Sequence, residues 1–415
     1  MKDKIINILQ NKNNINNFLL GILFSSPMLS FVIDINNIIP TIIVGVILLL
    51  SIINRKALMK KEHESVYIIV FLFLFILTVF FQFISGNQTQ FFKERIGFFI
   101  VFGIGACIPL HIVIKVDDEE GLQITKILSS IIFIYALISP FIYNINFWTY
   151  NAAERMAISY YMLPLYISII MMFFLEQEKH IKKFIIRCVI YVIVFFPYFE
   201  FLFLYLSRGA ILAVIIVWIL CFLQRKSLKQ RITILLVLAI LITFTSCFAL
   251  NILKTTQNIL NKFNVSFSFV NKNIKLLEEG KVGDGRDVIY NNAIKDIINQ
   301  PIVGNGIGYF KAVYNTYPHN FILQLWSEGG IFFLLIFLIP IIKITFIMIF
   351  KEGQSDKYMF LLIFLFGASI IRLLLSFELW KDMFFWMYLY LALLLSYKDD
   401  KKRGKIHGKH SYTNV

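Results

Sequence analysis

The sequence predicts an all-α, polytopic integral membrane bundle of about twelve spans. Three observations carry that reading. Of the 415 residues, 58% are hydrophobic and 16% charged, with a mean hydropathy of +0.74. Soluble domains are about 45–50% apolar and about 25% charged. The apolar residues fall in blocks near 20 residues, the length that crosses about 30 Å of hydrocarbon as a helix. The loops between the blocks carry Lys and Arg in a one-sided pattern, as multi-pass proteins do. The net charge of +15 would suggest nucleic-acid binding in a soluble chain. Here the charges sit where orientation signals belong, so membrane topology explains them.

Taken in order, the predicted spans are 17–33, 38–53, 66–86, 96–114, 126–144, 158–175, 188–206, 209–223, 232–252, 320–341, 358–377 and 383–397. The polar, Asn/Lys-rich start, Met1 to Asn17, leads into an apolar block without a small-residue cleavage site, so it reads as entering a retained first helix. Pro27 and Pro197 lie inside spans, where membrane helices tolerate them. Basic clusters mark loops 54–64, 177–187 and 224–231 and the tail, which places both termini in the cytoplasm. The opposite loops hold Lys93 and Arg95, Arg155, Arg208 and Lys381. Cys107, Cys188, Cys221 and Cys247 all lie in apolar stretches, with neither metal-ligand spacing nor a disulfide framework.

The chain thus divides into spans one to nine over 1–252, a long outer loop over 253–318, spans ten to twelve over 319–397, and a basic tail over 398–415. The second half of the outer loop reads as a helix. Val288, Ile289, Ala293, Ile294 and Ile297 form an apolar stripe that Pro301 ends, and such a helix could lie along the outer membrane interface.

The residues with chemistry cluster in or beside that loop. Ser207-Arg208-Gly209 closes one span and opens the next, with Gly209 permitting a tight turn. An arginine pinned there offers a planar fork of donors to phosphate oxygens; the alternative is a snorkelling arginine at the interface. Arg286 follows Gly283-Asp284-Gly285 at the start of the loop helix. The helix's free amides and Arg286 could together receive an anion, or Arg286 could pair with Asp284 or Asp287. Gly304-Asn305-Gly306-Ile307-Gly308 has no strand–helix unit around it, so it is no dinucleotide fingerprint and reads as a turn back to the membrane. His319, in Tyr317-Pro318-His319-Asn320, can exchange a proton near neutral pH. Glu328, in Ser327-Glu328-Gly329-Gly330, is a carboxylate inside an apolar span and lies too far along a straight helix to touch His319. Glu200 and Arg372 are ionisable groups within spans that could pair inside the bundle. Arg155 is a further outer-loop cation, beside Glu154.

The order Ser207-Arg208-Gly209, Gly285-Arg286, Pro301-x-x-Gly304-x-Gly306, His319-Asn320 and Glu328-Gly329, with the long outer loop between the ninth and tenth spans, resembles the bacterial O-antigen ligase and polymerase superfamily. The resemblance covers roughly 200–335. It implies a GT-C-type, metal-independent, inverting glycosyltransferase without a cofactor. Its donor would be a glycan on undecaprenyl diphosphate in the outer leaflet of the bacterial cell membrane. By the family motifs, Arg208 and Arg286 would hold the diphosphate and His319 would serve the acceptor hydroxyl. Ser207, Arg155, Asn320, Glu328 and Arg372 are further substrate-site candidates. No DxD-like cluster on the outer face calls for a metal. The acceptor would be another lipid-linked repeat unit in a polymerase, or lipid A-core or another acceptor in a ligase. A chain rich in Ile, Asn, Lys and Phe suits an AT-rich genome, which tilts the reading toward a capsular or O-antigen repeat-unit polymerase. A flippase or exporter for the same lipid-linked glycan is the non-enzymatic alternative. It would line a cavity at mid-membrane depth with polar groups, whereas here they gather at the outer end.

Overall fold

The computed structural model describes residues 61–86, 91–114, 208–224, 226–262, 268–279, 286–350 and 356–410, with 159–160, 163–164, 166–167 and 170–171. Every element among these is helical. The expected spans 17–33, 38–53, 126–144 and 188–206 lie outside the described residues, as do Arg155, Ser207 and Glu200.

We number the helices α1 Lys61–Ser85, α2 Phe92–Phe98, α3 Ala106–Ile114, α4 Arg208–Gln224, α5 Leu228–Cys247, α6 Ala249–Lys262 and α7 Ser268–Glu278. They continue as α8 Arg286–Asn299, α9 Tyr309–Tyr314, α10 Phe321–Phe350, α11 Asp356–Leu365, α12 Ile371–Leu375 and α13 Met383–His410. Wide π turns join α2 to α3 (Phe99–Gly105) and α11 to α12 (Phe366–Ile370). Such bulges gather at functional sites, and the second one leads directly to Arg372.

The core forms around α13. Its residues Met383 to Ala392 are all buried, including Trp386, Tyr388 and Tyr390. A helix apolar on every side is one enclosed on every side. The two tyrosines keep partners: Tyr388 shares a hydrogen bond with Thr345 at 2.9 Å, and Tyr390 with buried His111. Gly103 and Gly367 allow the π turns to pack closely. A Cβ on Gly367 would meet Val217 of α4 at 2.2 Å, so this crossing depends on the missing side chain.

The outward faces are apolar. Leu72, Phe73, Phe80 and Phe83 on α1, Trp218 on α4, Leu236 and Ile240 on α5, and Phe332, Ile339 and Phe346 on α10 are all exposed large hydrophobics. So much contiguous apolar surface is foreign to a soluble monomer and is what lipid contact requires. By length and composition α10 can cross a membrane. Ile69–Ser85, Gly209–Gln224, Leu361–Leu375 and Met383–Ser396 are shorter apolar helices. These results support a helical membrane protein.

The expected elements recur with shifted ends. The span 209–223 is α4, and 96–114 is α2, its π turn and α3. The span 320–341 extends to Phe350, and 383–397 continues helically into the basic tail. The segment expected as the long loop, 253–318, holds more helix than expected, since α6 and α7 precede the predicted α8. They pair as a hairpin through Gln257 to Asn271 and Lys254 to Glu278. The stripe on α8 is also arranged differently. Ala293, Asp296 and Ile297 are buried, while Val288 and Ile294 are exposed, because the helix docks against α10.

At the far end, Arg231 gathers carbonyls. It donates to Lys226 and Ile349 at 2.9 Å, and Gln224 donates to Met348 at 2.7 Å. A cation among C-terminal carbonyls complements the helix dipoles. This contact joins the C-terminal ends of α4 and α10, so the two helices run in the same direction.

Candidate active site

The candidate site forms where α12 ends. Its last carbonyls and that of its C-cap Ser376 need partners from outside the helix, and the predicted residues Asn320, Arg286 and His319, with Tyr317, supply them. Asn320 donates its side-chain amide to Leu374 at 3.3 Å. Arg286 donates Nη1 to the Leu375 carbonyl. Tyr317 donates its hydroxyl to the Ser376 carbonyl at 3.1 Å, and the His319 imidazole bonds the same carbonyl. Arg286 and His319, from opposite ends of α8 and α9, therefore meet on successive residues. The negative end of the 356–375 helical segment offsets the unfavourable position of Arg286 at the start of α8.

Arg208 is described by its backbone alone, as the first residue of α4. That backbone reaches the same place. A Cβ on the adjoining Gly209 would meet the Tyr160 hydroxyl at 2.0 Å and Leu375 Cδ1 at 3.0 Å. Gly209 was expected to permit a turn. It lies inside α4, and its missing side chain makes room for Tyr160.

His319 has φ 55, in the left-handed region. Such a conformation costs of order 1–3 kcal/mol and persists only where the surroundings impose it. Pro318 precedes it. Asn320 follows as the N-cap of α10, its Oδ1 accepting from Ile322 at 2.9 Å and Leu323 at 3.3 Å. The imidazole stacks on Tyr317 with ring centroids 4.2 Å apart. Its pKa lies below the usual 6.5, chiefly from burial and then from the Arg286 charge; the bond to Ser376 opposes both. His319 Nδ1 has no hydrogen-bond partner among the described residues, so the other ring nitrogen serves Ser376. In a neutral imidazole the nitrogen that donates carries the proton. Nδ1 then holds the free lone pair, which is what a general base requires.

Aromatic faces hold the third cation. The Arg372 guanidinium lies 3.5 Å from the Phe377 ring centroid and 5.4 Å from that of Tyr160. Tyr317 feels all of these groups. Its pKa is raised by burial first and then by Glu378, against the lowering charges of Arg372 and Arg286.

Glu328 and the glycine motif have a different setting. Gly330, at φ 75 and ψ −177, breaks α10. The carbonyls of Ser327 and Glu328 lose their helical donors there, and the 301–306 loop replaces them. Asn305 donates its amide to Ser327 at 2.9 Å, and Gly306 to Glu328 at 2.8 Å. In return, Ile331 donates to the Pro301 carbonyl at 2.9 Å. The motif's amides therefore mend a broken helix, a necessity for any break at membrane depth. The Glu328 carboxylate accepts from Trp380 at 2.9 Å and Gln324 at 3.4 Å.

Several participants could not be found from the sequence. Tyr160 and Phe377 are aromatic residues in an aromatic-rich chain, and Ser376 acts through its carbonyl. Tyr317 carried the only usable signal, its place beside Pro318-His319. Searches of curated proteins and of solved structures each return no match. Residues 191–338 match the family model described as O-antigen ligase. This match covers a little over a third of the chain, spans α4 to the first part of α10, and so contains Arg208, Arg286 and His319; over that stretch the chain is similar to the O-antigen ligase family.

Proposed function

We propose that this chain is a membrane glycosyltransferase. It moves a glycan from undecaprenyl diphosphate to an acceptor sugar hydroxyl at the outer leaflet, joining O-antigen or capsular repeat units. The observation that carries the reading is the meeting of Arg286 and the strained His319 on the end of α12, beside the backbone of Arg208. In the transfer, His319 Nδ1 takes the proton of the acceptor hydroxyl. The acceptor oxygen bonds to the anomeric carbon from the face opposite the leaving group, and the bond to the diphosphate oxygen breaks with its electron pair. The departing diphosphate gains charge, which Arg208, Arg286 and Arg372 meet with guanidinium N–H groups. Arginine guanidiniums take the charge-stabilising part that a metal would otherwise play, and the single displacement from the opposite face inverts the anomeric centre. Asn320 and Glu328 hold the walls of the site, and Arg155 and Ser207 are further candidates for substrate contact.

A ligase reading shares this chemistry and differs only in acceptor; the description of the matching family favours it. In cells, His319→Ala should abolish glycan extension at unchanged protein level. A normal glycan ladder in that variant overturns the proposal. The deletion strain separates the two readings: a single repeat unit on the acceptor marks a lost polymerase, and free lipid-linked chains mark a lost ligase.

A further inference from the structure

Arg95 reads in the sequence as one more loop charge. In the fold it is 1% exposed, in the last turn of α2. Its Nη1 donates to Glu94 at 2.8 Å and its Nη2 to Glu378, which is also buried. Glu378 uses its other oxygen on Lys381 at 3.6 Å. This ion pair links α2 to the turn between α12 and α13. The turn has two further ties: the Leu379 amide donates to Gln324 at 3.2 Å, and the Trp380 indole donates to Glu328 at 2.9 Å. The turn begins with Ser376, whose carbonyl bonds His319.

Stability alone is a poor reason for such a pair. Desolvating two charges costs several kcal/mol per ion, and apolar replacements of similar volume are often as stable. What an ion pair supplies and apolar contact does not is a defined geometry.

We propose that Arg95 is a positioning residue for His319. Paired with Glu378, it fixes the 376–382 turn so that the Ser376 carbonyl orients the imidazole and keeps the proton off Nδ1. The inference rests on the reading of His319 as the base. Loss of the clamp lets the ring turn or change tautomer, which reduces turnover and leaves the diphosphate-binding arginines in place.

The test uses Arg95→Met/Glu378→Gln, which removes both charges together and leaves neither buried alone. The full-length protein is purified and given lipid-linked glycan extracted from cells lacking it. We expect turnover to fall about ten- to a hundredfold, with KM for the glycan within about twofold and the melting midpoint unchanged. Parental turnover overturns the proposal. So does a fall in turnover accompanied by a raised KM and a lowered melting midpoint, which marks a structural role only. If the double variant does not fold, Glu378→Asp keeps the charges and shortens the tether by one methylene. It should show the same split, and parental kinetics there overturn the proposal. His319→Ala runs alongside: activity in that variant removes the base itself, a failure distinct from that of the clamp.

Discussion

Gly330→Ala tests the mended break in α10. A Cβ at this position would lie 2.0 Å from the Ile302 carbonyl oxygen, 2.3 Å from its carbon and 2.6 Å from the Val303 amide. All three are backbone atoms, so the 301–306 loop must move away. Backbone strain at a conformation almost confined to glycine costs about 1–3 kcal/mol. The shift also loosens the hydrogen bonds from Asn305, Gly306 and Ile331, each worth about 0.5–1.5 kcal/mol net. Together the cost is about 3–6 kcal/mol, a large part of a typical margin of about 5–15 kcal/mol. Gly329→Ala is the matched control. The atoms nearest its Cβ would be those of the Phe333 side chain, at 2.3–2.6 Å, and overpacking against a side chain costs about 1–3 kcal/mol. Thermal melting in detergent should show Gly330→Ala lowered by about 3–7 °C and Gly329→Ala by clearly less. Equal midpoints, or the reverse order, would refute the account of the loop as a backbone splint.

Two further predictions concern charge. The neutral form of His319 is the active one and its pKa is depressed, so the acid limb of the pH–rate profile should lie below 6.5. Arg286→Gln removes one lowering cause and should move the limb upward on the residual activity, while Arg286→Lys should leave it in place; a limb above 6.5 in the parent would contradict the assignment. Arg208→Lys retains charge but loses the planar fork, so transfer should fall about tenfold or more, and wild-type turnover would refute bidentate phosphate binding.

The legible part of the fold follows from local pattern. Apolar runs near membrane thickness place α4, α10 and α13 within a few residues at their starts, because the bilayer sets span length directly. The π turns at Phe99–Gly105 and Phe366–Ile370 were not legible, since packing against Trp386, Val217 and Ile167 selects them. The hairpin of α6 and α7 was missed, because its polar faces hid short amphipathic helices.

For the site, the sequence by itself determined which side chains have chemistry to offer: arginines and a histidine around one outer loop, where bare charge demands a partner. Only the tertiary structure decided that Arg286 and His319 share the end of α12, that the Asn305 and Gly306 amides repair α10, and that Arg95 is enclosed. The first two depend on unsatisfied carbonyls at the end of α12 and at the break in α10, the third on the Glu378 carboxylate, and which donors reach them is a matter of distance in space that spacing along the chain does not encode.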